Sequence, residues 1–130
     1  MERALALVFD DSDEEEYLYH SRRPRWIRER EEHFVILDDK DFVTRFRLTK
    51  PTVLSVLESI EDKLRFSSEM NHYVSPMNQL LCALRFYATG CYQMTAADLC
   101  GFSTSTAHRI VHRVSAAIAS LGSCHIRFPE

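Results

Sequence analysis

The side chains best suited to bind a ligand or take part in a reaction lie in one short segment, residues 104–113. They are the hydroxyl, imidazole and guanidinium groups of Thr104, Ser105, His108, Arg109, His112 and Arg113. Arginine can contact guanine edges and phosphates, and serine and threonine can contact phosphates or bases in a DNA groove. These positions are out of phase with the apolar residues of the same segment. We therefore expect them to form one outward-facing surface that contacts double-stranded DNA.

The surrounding sequence, QMTAADLCGFSTSTAHRIVHR at Gln93–Arg113, predicts a helix-turn-helix. Such a motif needs a small residue where its two helices cross closely, and a glycine at the turn. Ala97 is the small residue, and Gly101 follows it four positions later. Ala107 and Ile110 then fall where the second helix must pack inward.

A protein-docking role is the alternative interpretation of the same segment. Short helix pairs around a glycine occur in many proteins that never touch DNA. Two arginines also make a weak electrostatic footprint, because non-specific affinity grows with the number of neutralised phosphates. The apolar stripe that runs from Ala107 to Leu121 can serve a dimer as easily as a core. Docking to a second copy or to a partner protein therefore remains an alternative function of this segment.

A metal site is not predicted in this segment. His108 and His112 are spaced i and i+4, which can hold zinc. However, no glutamate lies between them in the HExxH arrangement, and Cys100 precedes them at no standard zinc-finger spacing. We expect both histidines to be exposed polar residues.

Catalytic residues are not predicted either. The carboxylates of residues 75–130 are Asp98 and Glu130, too few for a cluster that holds two Mg²⁺ ions. The serines, histidines and cysteines lack a nucleophile elbow or a triad context. We therefore expect no enzymatic activity and no cofactor for this chain by itself.

The elements that must position the polar surface have helical signals. Thr49 is a good N-cap ahead of a proline, and apolar residues then repeat with helical spacing to about Phe66. Ser75 followed by proline begins the next helix, and Gly90 supplies its stop. Ser103 can cap the helix that carries the polar surface. These signals predict an all-α fold.

The segments between and before these helices predict less regular structure. FVTRFRL, at residues 42–48, alternates apolar and basic residues and predicts a short extended or irregular lead-in. Ser67–Ser75 is polar and predicts a loop. We expect ordered structure to begin near Asp41. The predicted organisation is a leader over residues 1–40 followed by a small helical domain, residues 41–130, that contains the helix-turn-helix.

The net charge of −3 is distributed unevenly along the chain. Residues 1–40 hold seven Lys/Arg against twelve Asp/Glu, a balance of −5, and include the acidic run Asp10–Glu16. Such a run cannot bury itself, so we predict a disordered acidic leader. Residues 75–130 hold four Lys/Arg against two Asp/Glu, a balance of +2. This mildly basic half permits nucleic-acid binding without requiring it.

The cysteines indicate a reducing compartment, and the hydropathy predicts no membrane span and no secretory signal. Cys82, Cys91, Cys100 and Cys124 lie in or beside helical patterns and never as CxxC, which favours reduced, mostly buried thiols. No apolar run approaches the roughly 20 residues that span a bilayer, and no secretory signal is evident. The expected location is the nucleus or the cytoplasm, with no membrane partner.

Several segments together resemble one known family. Residues 75–121 contain LLCALRFYATGCY and AADLCGFSTSTAHRIVHRV, and IRFP closes the chain at Ile126–Pro129. FRLTKPTVLSVLESI, upstream, fits the same pattern. The combination resembles the N-terminal helical region of Harbinger (PIF/Harbinger) transposases and the domesticated nucleases derived from them. It covers about Phe42 to Pro129.

The resemblance implies a larger parent protein. Its second part is an RNase H-like domain whose three carboxylates bind divalent metal and cut DNA phosphodiesters. None of those carboxylate motifs can be mapped onto this sequence, so we expect the catalytic domain, and with it the divalent metal, to be absent here. The resemblance also implies a nuclear location and a separate Myb-like DNA-binding partner.

The leading hypothesis is a helix-turn-helix DNA-binding region of a Harbinger transposase-derived nuclease, without the catalytic domain. One alternative is a protein-interaction module that docks a Myb-like partner or a second copy of itself. The other is a fragment of a full-length, divalent-metal-dependent DNA nuclease.

Overall fold

The computed structural model describes residues 31–65 and 73–130, and every regular element within those two segments is an α-helix. In chain order the helices are α1 (His33–Ile36), α2 (Asp39–Phe46), α3 (Lys50–Leu64), α4 (Pro76–Thr89), α5 (Gln93–Cys100), α6 (Thr104–Ala119) and α7 (Gly122–His125). The predicted all-α fold is confirmed. Measured by length and hydropathy, none of these helices could cross a bilayer.

Short polar side chains cap the first turns of four helices, α2, α3, α4 and α6. Asp38, Thr49, Ser75 and Ser103 each accept a hydrogen bond from the backbone N–H three residues later, at 2.7, 3.4, 3.2 and 3.3 Å. Each bond satisfies one of the amide donors that a helix leaves unpaired in its first turn. The caps predicted at Thr49, Ser75 and Ser103 are confirmed.

Left-handed residues set where three of the helices end. Gly90 has φ 60° after α4, and Gly101 has φ 72° after α5. Glycine adopts this conformation without the clash that a Cβ causes. Arg47 has φ 63° after α2, where its amide donates to the Val43 carbonyl at 2.8 Å. The helix stop predicted at Gly90 is confirmed.

The extended lead-in predicted for residues 42–48 is wrong, because most of that segment belongs to α2. Phe42 and Phe46 are four residues apart, so a helix places both rings on its buried side, with ring centroids 4.8 Å apart. Asp38 starts this helix, and the predicted domain boundary at 40/41 therefore falls inside α2. The alternation of apolar and basic residues was compatible with a strand over too few positions to exclude a helix.

The residues just before α2 also differ from the predicted leader, because they form a short helix. Helix α1 lies within the segment predicted as a leader, and its His33 Nε2 donates to the Leu99 carbonyl at 3.2 Å. The acidic run Asp10–Glu16 and the rest of residues 1–30 lie outside the described residues, as do residues 67–72 of the predicted loop and Phe66 before it. Helix α3 ends at Leu64, close to its predicted end.

Lys50 fastens the first helices to α3. Its Nζ donates to the Leu37 carbonyl at 2.6 Å and lies 3.9 Å from an Asp39 carboxylate oxygen. The same ammonium stands 5.5 Å from the ring centroid of Phe34 and 5.7 Å from that of Phe42. A cation this close to aromatic faces is attracted by their quadrupoles. Lys50 therefore joins α1, α2 and the first turn of α3.

Gln79 performs a similar task inside the core. Its side chain is fully buried, and Nε2 donates to the carbonyls of Leu64 at 2.9 Å and Val74 at 3.0 Å. Leu64 ends α3, and its carbonyl has no partner in its own helix. One buried amide therefore fixes the end of α3 beside the entry to α4.

Helix α6 packs against three other helices, α3, α4 and α5. The residues that it buries share one face: Ala107, Ile110, Val111, Val114 and Ala117. The apolar stripe is therefore an intramolecular core. These five side chains are buried within the chain, and a homodimer stays a prediction.

We predict that Gly90→Ala destabilises the fold by about 1–2 kcal/mol, the cost of a left-handed conformation for an L-residue. Among residues 31–65 and 73–130, and apart from its two chain neighbours, no atom lies within 4 Å of the added Cβ, so the backbone strain is the expected cause. Urea unfolding measures the change. Gly122→Ala is the matched control, since Gly122 does not have a positive φ and its added Cβ would meet Ile126 Cδ1 at an ordinary contact distance of 4.0 Å. Equal unfolding midpoints for the two variants would contradict the role given to Gly90.

Candidate nucleic-acid interface

The predicted pair of helices around Gly101 is present. Helix α5 ends at Cys100, and α6 begins at Thr104. The Phe102 amide donates to the Ala97 carbonyl at 2.9 Å, and the Gly101 amide donates to the Asp98 backbone carbonyl at 3.4 Å. These bonds close the end of α5 over a short connection, which fixes how α6 leaves it.

Small residues let α5 and α6 approach each other closely. Ala96, Ala97 and Ala107 are all 0% or 1% exposed. The two helices pack against each other and both pack on α4. A larger side chain at these positions would have to displace a neighbouring helix, because protein interiors have little spare volume.

Five of the six side chains predicted to face outward do so. Thr104, Ser105, His108, Arg109 and His112 are all exposed. They occupy the first three turns of α6, on the side opposite the buried stripe. We call these five residues the outer face of α6.

The expectation for Arg113 needs correction. Arg113 is only half-buried rather than fully outward, and its Nη1 atom is buried. The physical reason is its position on the helix, directly before the fully buried Val114 and three residues after the buried Ile110. Arg113 therefore borders the outer face and is partly covered by the packing of α6.

A polar array on the outer face involves one residue that sequence reasoning missed. His108 Nδ1 lies 2.9 Å from Oε1 of Gln93, the first residue of α5. The His108 and His112 rings meet edge to face, with centroids 4.4 Å apart and planes at 65°. The contact between Gln93 and His108 spans 15 residues and two helices, so helical periodicity gives no signal for it.

The outer face of α6 carries positive charge because acidic residues are absent from this part of the sequence. No Asp or Glu occurs between Asp98 and Glu130, so α6 carries Arg109 and Arg113 without an acidic residue of its own. The ion pairs of Lys50 with Asp39 and of Arg65 with Glu61 lie on other helices. The positive charge of Arg109 is therefore not neutralised by either of those pairs.

The histidine pair does not form a complete metal site. Within the two described segments, no group of three or more His, Cys, Asp or Glu side chains is arranged to hold a metal ion. A structural zinc site uses four protein ligands, and His108 and His112 would supply two.

Two thiols lie beneath the turn of the helix pair. The Cys82 thiol donates a hydrogen bond to the Cys100 sulfur, and this bond together with burial raises the pKa of Cys82. The same bond, assisted by the charge of Arg85, lowers the pKa of Cys100, although burial opposes the shift. Cys82 is buried and Cys91 half-buried, which agrees with structural thiols, whereas Cys124 is exposed.

Two groups of apolar side chains remain exposed near the helix pair and at the end of the chain. Tyr92 and Met94 flank Gln93 and are 85% and 60% exposed. Ile126 and Phe128, in the extended segment after α7, are 77% and 94% exposed. Exposed apolar residues of this size are candidates for contact with another surface.

The chain is similar to curated proteins named "Putative nuclease HARBI1". It is 28% identical to the human protein over 91 residues, 28% identical to the Xenopus laevis protein over 92 residues, and 26% identical to the rat protein over 91 residues. These alignments cover 70%, 71% and 70% of this chain but 26% of each relative, so the chain spans about a quarter of the length of those relatives. No protein-family model and no solved structure matches the chain. The predicted resemblance to Harbinger-derived nucleases is confirmed.

We predict that Ala107→Leu destabilises the fold by about 1–3 kcal/mol, because the larger side chain overpacks the contact between α5 and α6. Ala116→Leu is the matched control on the exposed side of the same helix and should change stability by no more than about 0.5 kcal/mol. Urea unfolding followed by circular dichroism measures both. If Ala107→Leu were as stable as Ala116→Leu, α6 could not be seated on α5 as closely as described.

Proposed function

We propose that this chain binds double-stranded DNA through the outer face of α6, as the helix-turn-helix region of a protein related to Harbinger-derived nucleases. The observation that carries the proposal is the exposure of five polar or cationic side chains on a helix whose opposite side is buried. A recognition helix needs this combination, because the buried side fixes the angle at which the other side meets a groove.

The side chains of the outer face have different tasks in this proposal. Arg109 supplies the exposed positive charge and contacts a guanine edge or a phosphate. Thr104 and Ser105, in the first turn of α6, donate to phosphate oxygens beside the free amides of that turn. His108 and His112 contact base edges. Arg113, which is half-buried, donates to the DNA backbone from the border of the face.

Cleavage of DNA is not assigned to these residues. The relatives are named as nucleases, and the chain matches about a quarter of their length. Residues 75–130 contain only Asp98 and Glu130 as carboxylates, and phosphodiester cleavage by two metal ions needs a carboxylate cluster. We propose that metal-dependent cleavage requires parts of the relatives that this chain does not match. A nuclear location and a Myb-like partner belong to the same proposal.

The proposal predicts salt-dependent DNA binding that depends on Arg109. Fluorescence anisotropy of a labelled duplex, titrated with the full chain over a series of salt concentrations, gives the slope of log affinity against log salt. Arg109→Gln should reduce the magnitude of that slope by about one, because each neutralised phosphate contributes roughly 0.9.

Arg65→Gln is the matched control for this experiment. It removes the same charge from Arg65, an exposed residue just after the end of α3 that pairs with Glu61 of that helix. The salt dependence of DNA binding by this variant should equal that of the unchanged chain. Two results would contradict the proposal: no binding at low salt, or equal losses in the two variants. Equal losses would mean that net charge, and not the outer face, drives the binding.

A protein-docking function is the second candidate, and the exposure of Ile126 and Phe128 favours it. These side chains would be covered by a partner protein, by a second copy, or by another part of a longer chain. Sedimentation velocity at several concentrations distinguishes this function from the first. A concentration-dependent dimer without DNA affinity would support docking. A monomer that binds DNA would support the outer face of α6.

A further inference from the structure

Gln93 lies where the first helix of the pair can control a side chain of the second. It is the first residue of α5 and is half-buried, and the first turn of α5 is closed by amides of Thr95 and Ala96 that donate to the Tyr92 carbonyl at 3.0 and 3.2 Å. Its Oε1 atom stands 2.9 Å from Nδ1 of His108. Gln93 therefore presents its side-chain oxygen from α5 to a ring that lies on α6.

This contact favours one tautomer of His108. With the carboxamide oxygen of Gln93 facing the ring, Nδ1 of His108 carries the hydrogen, because a carboxamide oxygen only accepts hydrogen bonds. In a neutral imidazole the other nitrogen then has a free lone pair and acts as an acceptor. Within residues 31–65 and 73–130, no group hydrogen-bonds to Nε2 of His108, and the side chain is exposed.

His112 restricts the same ring from a second direction. Its ring lies edge to face with His108, at a centroid distance of 4.4 Å. Rotation of the His108 ring would break the contact with Gln93 and change the packing on His112. The acceptor atom of His108 therefore has a defined direction before any ligand arrives, and such preorganisation lowers the entropic cost of binding.

We infer that Gln93 is a positioning residue that lets His108 discriminate between bases. In this arrangement Nε2 of His108 accepts a hydrogen bond from an exocyclic amino group in the major groove. This inference rests on the proposed DNA binding. The bases that present such a donor in the major groove are adenine, through N6, and cytosine, through N4. Guanine presents two acceptors there and thymine presents one acceptor, so neither base can donate to Nε2.

The first test reads the tautomer without DNA. Long-range ¹⁵N–¹H spectra of the full chain, recorded at about pH 8 so that histidine is ordinarily neutral, should show His108 protonated at Nδ1. Gln93→Met keeps the size of the side chain but removes the acceptor, so the population protonated at Nδ1 should fall. Met94→Leu, on the neighbouring exposed residue, should leave the spectrum of His108 unchanged. His108 protonated at Nε2 in the unchanged chain would overturn the inference.

The second test reads the base preference. The full chain and both variants select duplexes from a pool with a randomised central segment, at the same salt concentration and at about pH 8. One position of the selected sequence should favour adenine or cytosine by roughly 2- to 10-fold, the effect of one neutral hydrogen bond. Gln93→Met and His108→Ala should both lose that preference, whereas Met94→Leu should keep it. Thermal unfolding of each variant shows whether the fold is retained.

The outcomes separate this inference from the function on which it rests. If the unchanged chain binds no duplex at any salt concentration, the proposed function and the reading of a base both fail. If the chain binds duplex DNA and a folded Gln93→Met variant selects the same bases with the same weights, only the inference fails. A preference lost in Gln93→Met and in His108→Ala, together with the tautomer change, supports it.

Discussion

Burial of one side of α6 is the constraint on which the rest of the structure depends. Ile110 and Val114 lie inside the contacts of α6 with α3, α4 and α5. Full burial of an aliphatic side chain of this size stabilises a fold by about 1.5–3 kcal/mol, so α6 cannot rotate about its axis without losing several such contributions. The outward direction of His108 and Arg109 follows from that fixed rotation.

The connections between the helices serve the same end. Gly101 turns the chain sharply after α5, and the small side chains of Ala97 and Ala107 let α6 return against it. Gln79 holds the end of α3 beside the start of α4, and Lys50 holds the first two helices to α3. Loss of any of these contacts would act on the outer face of α6 indirectly, by loosening the helices that support it.

The parts of the fold that sequence alone could predict are those encoded by local chemistry. Ser75 and Ser103 cap helices because a hydroxyl can reach an amide three residues away, and Gly90 ends a helix because only glycine is unstrained there. The apolar spacing of α6 likewise identified its buried side, although whether that side met a core or a second copy depended on packing that no local signal reports.

The features that sequence could not predict depend on tertiary contacts. Phe42 and Phe46 fit a strand as well as a helix over a few residues, and their burial against the other helices decides between the two. Arg113 lies so close to the buried stripe that its exposure depends on neighbouring helices. The contact of Gln93 with His108 joins residues that are distant in sequence, and only the packing of α5 on α6 brings them together.

Whether DNA contacts the outer face of α6 can be determined by an NMR titration. The full chain, labelled with ¹⁵N, would be titrated with duplex DNA at low salt, and the amide and side-chain shifts followed residue by residue. If DNA binds this face, the largest changes will cluster at Thr104, Ser105, His108, Arg109 and His112, with smaller changes at Arg113. Changes concentrated at Ile126 and Phe128 instead, or none on α6 while the duplex is bound, would contradict binding at this face.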